Sequence, residues 1–125
     1  QKEAYRVAYD FVQGVSEMLR PGLAFDAFAH SVPEVPEAYK AQRYAVILHG
    51  IGTDDEPPFI PFADDAEEKT VMPQGEFKEN MVLSVEFYAG KVGGQDGVKL
   101  EDEILITADG PVQLSLYPYE QKLLS

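Results

Sequence analysis

Three side chains of this sequence carry metal-binding chemistry at places where a bland residue would be expected. His49 ends one apolar run, Glu86 lies within a second, and Glu101 lies within a third. An imidazole and two carboxylates can hold a divalent cation. The chain has no cysteine, so any metal would be held by oxygen and imidazole and not by thiolate. Spacing alone also fits a plainer reading: strands with one solvated face carry Glu routinely, and a lone His before a glycine is often a turn residue.

The elements that would position these groups are readable from periodicity. In residues 81–88 the alternation puts Val82, Ser84, Glu86 and Tyr88 on one face and Met81, Leu83, Val85 and Phe87 on an apolar one. In residues 98–107, Lys99, Glu101 and Glu103 oppose Val98, Leu100 and Ile104. The glycine-rich stretch between the two strands predicts an antiparallel hairpin, which brings Glu101 alongside Glu86. Two adjacent carboxylates repel unless a cationic group lies between them.

Residues 44–48 predict a short strand that ends in His49-Gly50-Ile51-Gly52, where two glycines permit a turn and a functional loop. Residues 54–65 hold Pro57, Pro58, Pro61 and several acids, which predicts an irregular loop packed through Phe59, Ile60 and Phe62. Upstream, Ala4, Ala8, Phe11, Val15 and Met18 recur at the helical period, and Pro21-Gly22 stops that helix. Short helices are expected over 23–32 and 36–43. A last strand is expected over 112–116, after the turn Ala108-Asp109-Gly110. His30 has no motif around it and reads as a surface or helix-terminal residue. The sum is one α+β domain over residues 1–125.

Composition narrows the partners. With 45% hydrophobic and 26% charged residues the chain should fold. A net charge of −12 repels phosphate backbones, so nucleic acid is excluded as a partner. No apolar run approaches the ~20 residues that cross a bilayer, and the start has no signal-like segment. A cytoplasmic protein without a membrane partner is expected, and the start at Gln1-Lys2-Glu3-Ala4 reads as a cut inside a longer chain.

Taken in order, His49-Gly50-Ile51-Gly52, Glu56-Pro57, Asn80-Met81-Val82-Leu83-Ser84-Val85-Glu86 and Gly97-Val98-Lys99-Leu100-Glu101-Asp102 resemble the successive signatures of one family. It is that of creatinase, Xaa-Pro peptidases and methionine aminopeptidase, and the resemblance spans essentially the whole chain. It implies the C-terminal half of a pita-bread fold, with helices packed on a curved antiparallel sheet. It also implies a pair of divalent metal ions (Mn, Fe, Zn or Co) bound by two Asp, one His and two Glu. By motif, His49, Glu86 and Glu101 would be the last three of those ligands. The two Asp belong to strands ahead of the first helix, and no matching segment occurs here. The chain by itself is therefore expected to bind metal weakly and to turn nothing over. An uncovered sheet edge should draw it into a homodimer or into association with the missing half.

The match departs from the peptidases in two places. They usually carry a second His shortly before Glu-Pro, where this chain reads Thr53-Asp54-Asp55-Glu56-Pro57. They usually show Pro-Gly after the first Glu ligand and Arg before the second, where this chain has Phe87-Tyr88-Ala89-Gly90 and Lys99. These departures are similar to the dimethylsulfoniopropionate lyase branch, which shares the pattern seen here from Gly93 to Asp102. That branch places an Asp where Asp55 stands, which implies a base for β-elimination, and Tyr44 could line the same pocket. Without the resemblance, Asp55 is an ordinary turn residue and Tyr44 equally a core one. Three readings follow: a hydrolase of small Xaa-Pro-like peptides, a lyase of a small carboxylate, and a non-catalytic fragment.

Overall fold

A computed structural model describes residues 1–65 and 71–125. The chain runs α1 (Lys2–Met18), α2 (Phe25–Ala29), α3 (Glu37–Lys40), β1 (Val46–Ile51), β2 (Asp55–Pro61), β3 (Val82–Gly90), β4 (Gly97–Thr107), β5 (Gly110–Gln113) and α4 (Gln121–Leu124). The strands form one antiparallel sheet in the order β2-β1-β3-β4-β5. The architecture is α+β, an open sheet with helices packed on it. Among the described residues no helix is long and apolar enough to cross a membrane.

The core lies between α1 and one face of β3 and β4. The helix buries Ala4, Tyr5, Ala8, Phe11, Val12 and Val15, a stripe at the helical period. The sheet answers with Leu83, Val85 and Phe87 on β3 and Ile104 and Ile106 on β4. Phe11 stacks on Phe87 with ring centroids 4.5 Å apart and reaches Phe62 at 5.6 Å. Each such side chain contributes about 1.5–3 kcal/mol when fully buried. A second aromatic group holds α2 in place, with Phe77 set edge-on to Phe25 at 4.9 Å and to Phe28 at 5.0 Å.

Three expectations are corrected. Residues 55–61 are not a loop but edge strand β2, paired antiparallel with β1. Prolines are tolerated there because an edge strand needs only one side of its hydrogen-bonding potential. The register jumps between His49↔Phe59 and Gly50↔Glu56, and Pro57 and Pro58 fall in that jump. The second correction concerns His49-Gly50-Ile51, which belong to β1 and not to a turn. Gly50 is needed for close approach, since a Cβ there would meet the Pro57 carbonyl oxygen at 2.4 Å. The third is β5, which spans Gly110–Gln113 and ends earlier than the alternation suggested. His30 caps the C-terminal end of α2 with its side chain exposed, as expected.

Candidate metal centre

Register puts the chemistry-bearing residues on the sheet face turned away from α1. His49 pairs with Ser84, Glu86 with Glu101, and Tyr88 with Lys99. Paired residues in an antiparallel ladder point to the same side, so all six share one face. On it, His49, Glu86 and Glu101 each offer a ligand atom, and these atoms lie within 4.8 Å of one another. Three atoms so spaced lie within about 2.8 Å of a common centre, and ligand distances are ~2.2 Å. An inward shift of roughly 0.6 Å by each side chain would therefore close the cluster on a cation.

The local geometry presents the right atom of His49. Its Nδ1 lies 2.9 Å from the Gly50 carbonyl oxygen. A carbonyl can only accept, so Nδ1 is the donor of that bond, and Nε2 is the ring nitrogen left facing the carboxylates. Nε2 faces Glu86 Oε1 at 3.9 Å. The ring is held by that carbonyl just as outer partners hold metal-ligating imidazoles. The register jump beside His49 is a bulge of the kind that re-aims a side chain next to a site.

The two carboxylates sit in unlike surroundings. Glu86 is 12% exposed and Glu101 39%. Lys99 Nζ bridges them, 3.0 Å from Glu86 Oε2 and 2.7 Å from Glu101 Oε2, and the Ser84 hydroxyl donates to Glu101 Oε1. Burial works against charge on Glu101, yet the bonds from Lys99 and Ser84 hold its carboxyl below the usual value. The bond to Glu101 raises Lys99 further above its ordinary value, so it stays charged.

Asp55 begins β2, with its Oδ1 3.8 Å from His49 Nδ1 and its side chain 70% exposed. Tyr44 stands just before β1, its ring 5.9 Å from that of Tyr88 and 5.5 Å from Lys99 Nζ. All five residues singled out in the sequence thus fall around one locus, Tyr44 through its neighbour Lys99. Lys99 was noticed there only as a replacement for Arg, and Ser84 only as a polar position. The signal for both was their place on the same face as the glutamates. Asp102 closes one of the motifs but was given no role, although it is a carboxylate amid the apolar series Val98, Leu100, Ile104 and Ile106, which a strict reading of the alternation would have flagged.

The profile of metallopeptidase family M24 matches residues 1–108. Among curated proteins, the dimethylsulfoniopropionate lyase DddP of Roseovarius nubinhibens is 33% identical over 121 residues, covering 97% of this chain and 27% of the lyase. The lyase of the same name from Roseobacter denitrificans is 32% identical over 108 residues, covering 86% of this chain and 24% of its own length. The chain therefore spans about a quarter of these relatives. Among solved structures, the Pyrococcus furiosus prolidase superposes with a TM-score of 0.75 at 22% identity, covering 95% of this chain and 33% of the prolidase. The Thermotoga maritima X-Pro aminopeptidase gives 0.74 at 20% identity, with 94% and 31% covered. Both show the pita-bread fold expected from the motifs.

Proposed function

The chain belongs to metallopeptidase family M24, and from that premise we propose that it carries the His-Glu-Glu part of a lyase centre acting on dimethylsulfoniopropionate. The observation behind this reading is Asp55, whose carboxylate stands 3.8 Å from Nδ1 of the His49 imidazole that belongs to the cluster. The peptidase pattern has no use for a base at that position, whereas an elimination requires one.

His49, Glu86 and Glu101 would hold a divalent cation, and one imidazole with two carboxylates suits Mn, Fe, Zn or Co. Such an ion supplies a Lewis-acid anchor for the substrate carboxylate. The Lys99 ammonium between Glu86 and Glu101 supports this assignment, since it marks the spot as attractive to positive charge. Asp55 then takes the α-proton. The C–H electron pair becomes the carbon–carbon π bond, and the Cβ–S pair leaves with sulfur. Dimethyl sulfide and acrylate result, and Asp55 is left protonated until water takes its proton. The Tyr44 ring stands at the rim of the cluster, beside Lys99.

A hydrolase of Xaa-Pro peptides is the second reading, favoured by the family's peptidase chemistry. The test is a hybrid in which this chain replaces the matching quarter of the Roseovarius lyase. Headspace chromatography should detect dimethyl sulfide from the hybrid, and Asp55→Asn should abolish it while metal content stays unchanged. A folded, metal-loaded hybrid that cleaves Xaa-Pro dipeptides and releases no dimethyl sulfide would overturn the lyase reading.

A further inference from the structure

Glu86 and Glu101 sit directly opposite each other on one face of the β3–β4 ladder. Like charges in that position are destabilising, and Glu86, at 12% exposed, has little water to screen it. Lys99 resolves the conflict from the neighbouring pair, with Nζ 2.7 Å from one carboxylate and 3.0 Å from the other. Its amine thus lies beside the carboxylates that a metal ion would use.

A second station for this ammonium is already built. Nζ lies 5.5 Å from the centroid of the Tyr44 ring, within cation–π range. Tyr44 leans on Tyr88, and Tyr88 lies across the mouth of the hairpin, where Gly90 and Gly97 leave room for its ring. A Cβ on Gly97 would come within 2.2 Å of the Tyr88 hydroxyl, and one on Gly90 within 2.7 Å of the ring. The glycine pair seats Tyr88, Tyr88 backs Tyr44, and Tyr44 offers a π face about one side-chain swing from the carboxylates.

We infer that Lys99 is an exchangeable counter-ion. Its ammonium bridges Glu86 and Glu101 when no metal is bound, and it moves onto the Tyr44 face when a divalent cation takes the carboxylates. The exchange rests on the reading of His49, Glu86 and Glu101 as ligands. Its physical basis is repulsion: an ammonium and a dication held by the same two carboxylates oppose each other at a separation too short for salt to screen. Lys99 keeps its proton throughout, so nothing titrates and only its position changes. The metal-free sheet gains a carboxylate pair with half its charge compensated, and metal binding is weakened by the free energy of the contacts it must displace.

The inference predicts opposite signs for one substitution. Lys99→Met keeps the apolar stem and removes the charge. It should lower the melting temperature of the metal-free chain and tighten metal binding. Two partly exposed ion pairs of this kind amount to a change on the order of tenfold in Kd. A merely structural lysine would move stability and leave affinity unchanged or weakened.

The experiment is calorimetric titration of the 125-residue chain with Co2+, paired with thermal melts in chelator and in Co2+. Lys99→Met and Lys99→Gln should both bind Co2+ about tenfold more tightly than the parent, and Lys99→Arg should stay within about threefold of it. His49→Ala in each background controls for the site. If the parent binds through His49 and the neutral variants bind no more tightly, the counter-ion is overturned and the ligand reading stands. If His49→Ala changes nothing, or if no variant takes up Co2+ either as the 125-residue chain or within the lyase hybrid, the ligand reading fails and the counter-ion with it.

Discussion

Asp102→Asn should destabilise the chain by about 3 kcal/mol, a figure that follows from who surrounds the carboxylate. Asp102 is 4% exposed and stands on the helix-facing side of β4, opposite Val85. Its Oδ1 accepts from Gln113 Nε2 at 3.0 Å and from Ser115 Oγ at 2.7 Å. Its Oδ2 accepts from the Tyr119 hydroxyl and, at 3.4 Å, from Gln13 Nε2. Both oxygens thus face donors only. An asparagine amide has the same shape, but one of its ends is itself a donor, so in either orientation its NH2 confronts two donors. Hydrogen bonds to a charged group are worth about 1.5–3 kcal/mol net, and neutral ones about 1. Losing one such bond and weakening the others gives the figure. With a urea m-value of roughly 2 kcal/mol/M, the midpoint should fall by about 1.5 M. Equilibrium unfolding followed by circular dichroism measures it. A midpoint that moves by less than about 0.3 M, or rises, would show that desolvating the charge already cancels what the donors return.

Phe87→Ala should cost about 3–5 kcal/mol, because the ring is 1% exposed and packs on both Phe11 and Phe62; a thermal melt reads the loss. Gly97→Ala should cost about 1–3 kcal/mol by pushing the Tyr88 ring out of its seat, and Tyr88→Leu in the same chain should recover part of that loss. Tyr119 responds to alkali. Burial, and then its hydrogen bond to Asp102, raise its pKa above the usual phenol value. The contribution is therefore full below pH ~10 and fades as pH rises past it, because the unfolded chain ionises first. Tyr119→Phe should flatten the loss of stability between about pH 10 and 12 in urea titrations.

Most of the fold was legible because its elements keep a single period. The stripe of α1 and the alternation of β3 and β4 each follow one rule for nine residues or more, so face assignments made from the sequence hold in the structure. β2 was illegible for the opposite reason. Its composition argues against a strand, and only its place at the sheet edge, a tertiary fact, lets Pro57, Pro58 and Pro61 sit in it. Gly50 misled in the same way. A glycine after His suggests a turn, yet here it admits the backbone of β2, a neighbour that local sequence cannot reveal.

The site was legible only in part, and the boundary falls between consecutive residues. Glu101 and Asp102 are both carboxylates on β4, but the pleat turns them to opposite faces. Glu101 faces the cluster with His49 and Glu86, where Lys99 and Ser84 balance its charge. Asp102 faces the core, where neutral donors from α1, β5 and the C-terminal segment close around it. Motif reading caught the first because its neighbours on the face, Glu86 and Lys99, are themselves in the motifs. It gave Asp102, which stands in the same motif, no role because Gln13, Gln113 and Tyr119 are scattered along the chain and meet only after folding. The anchoring of Asp102 fixes the strand at the position next to Glu101. A shift of one residue in β4 would turn Glu101 into the core and Asp102 toward His49, breaking the bonds that Asp102 accepts from Gln13, Gln113, Ser115 and Tyr119. The core network therefore does more than stabilise: it sets the register that lets Glu101 meet Glu86.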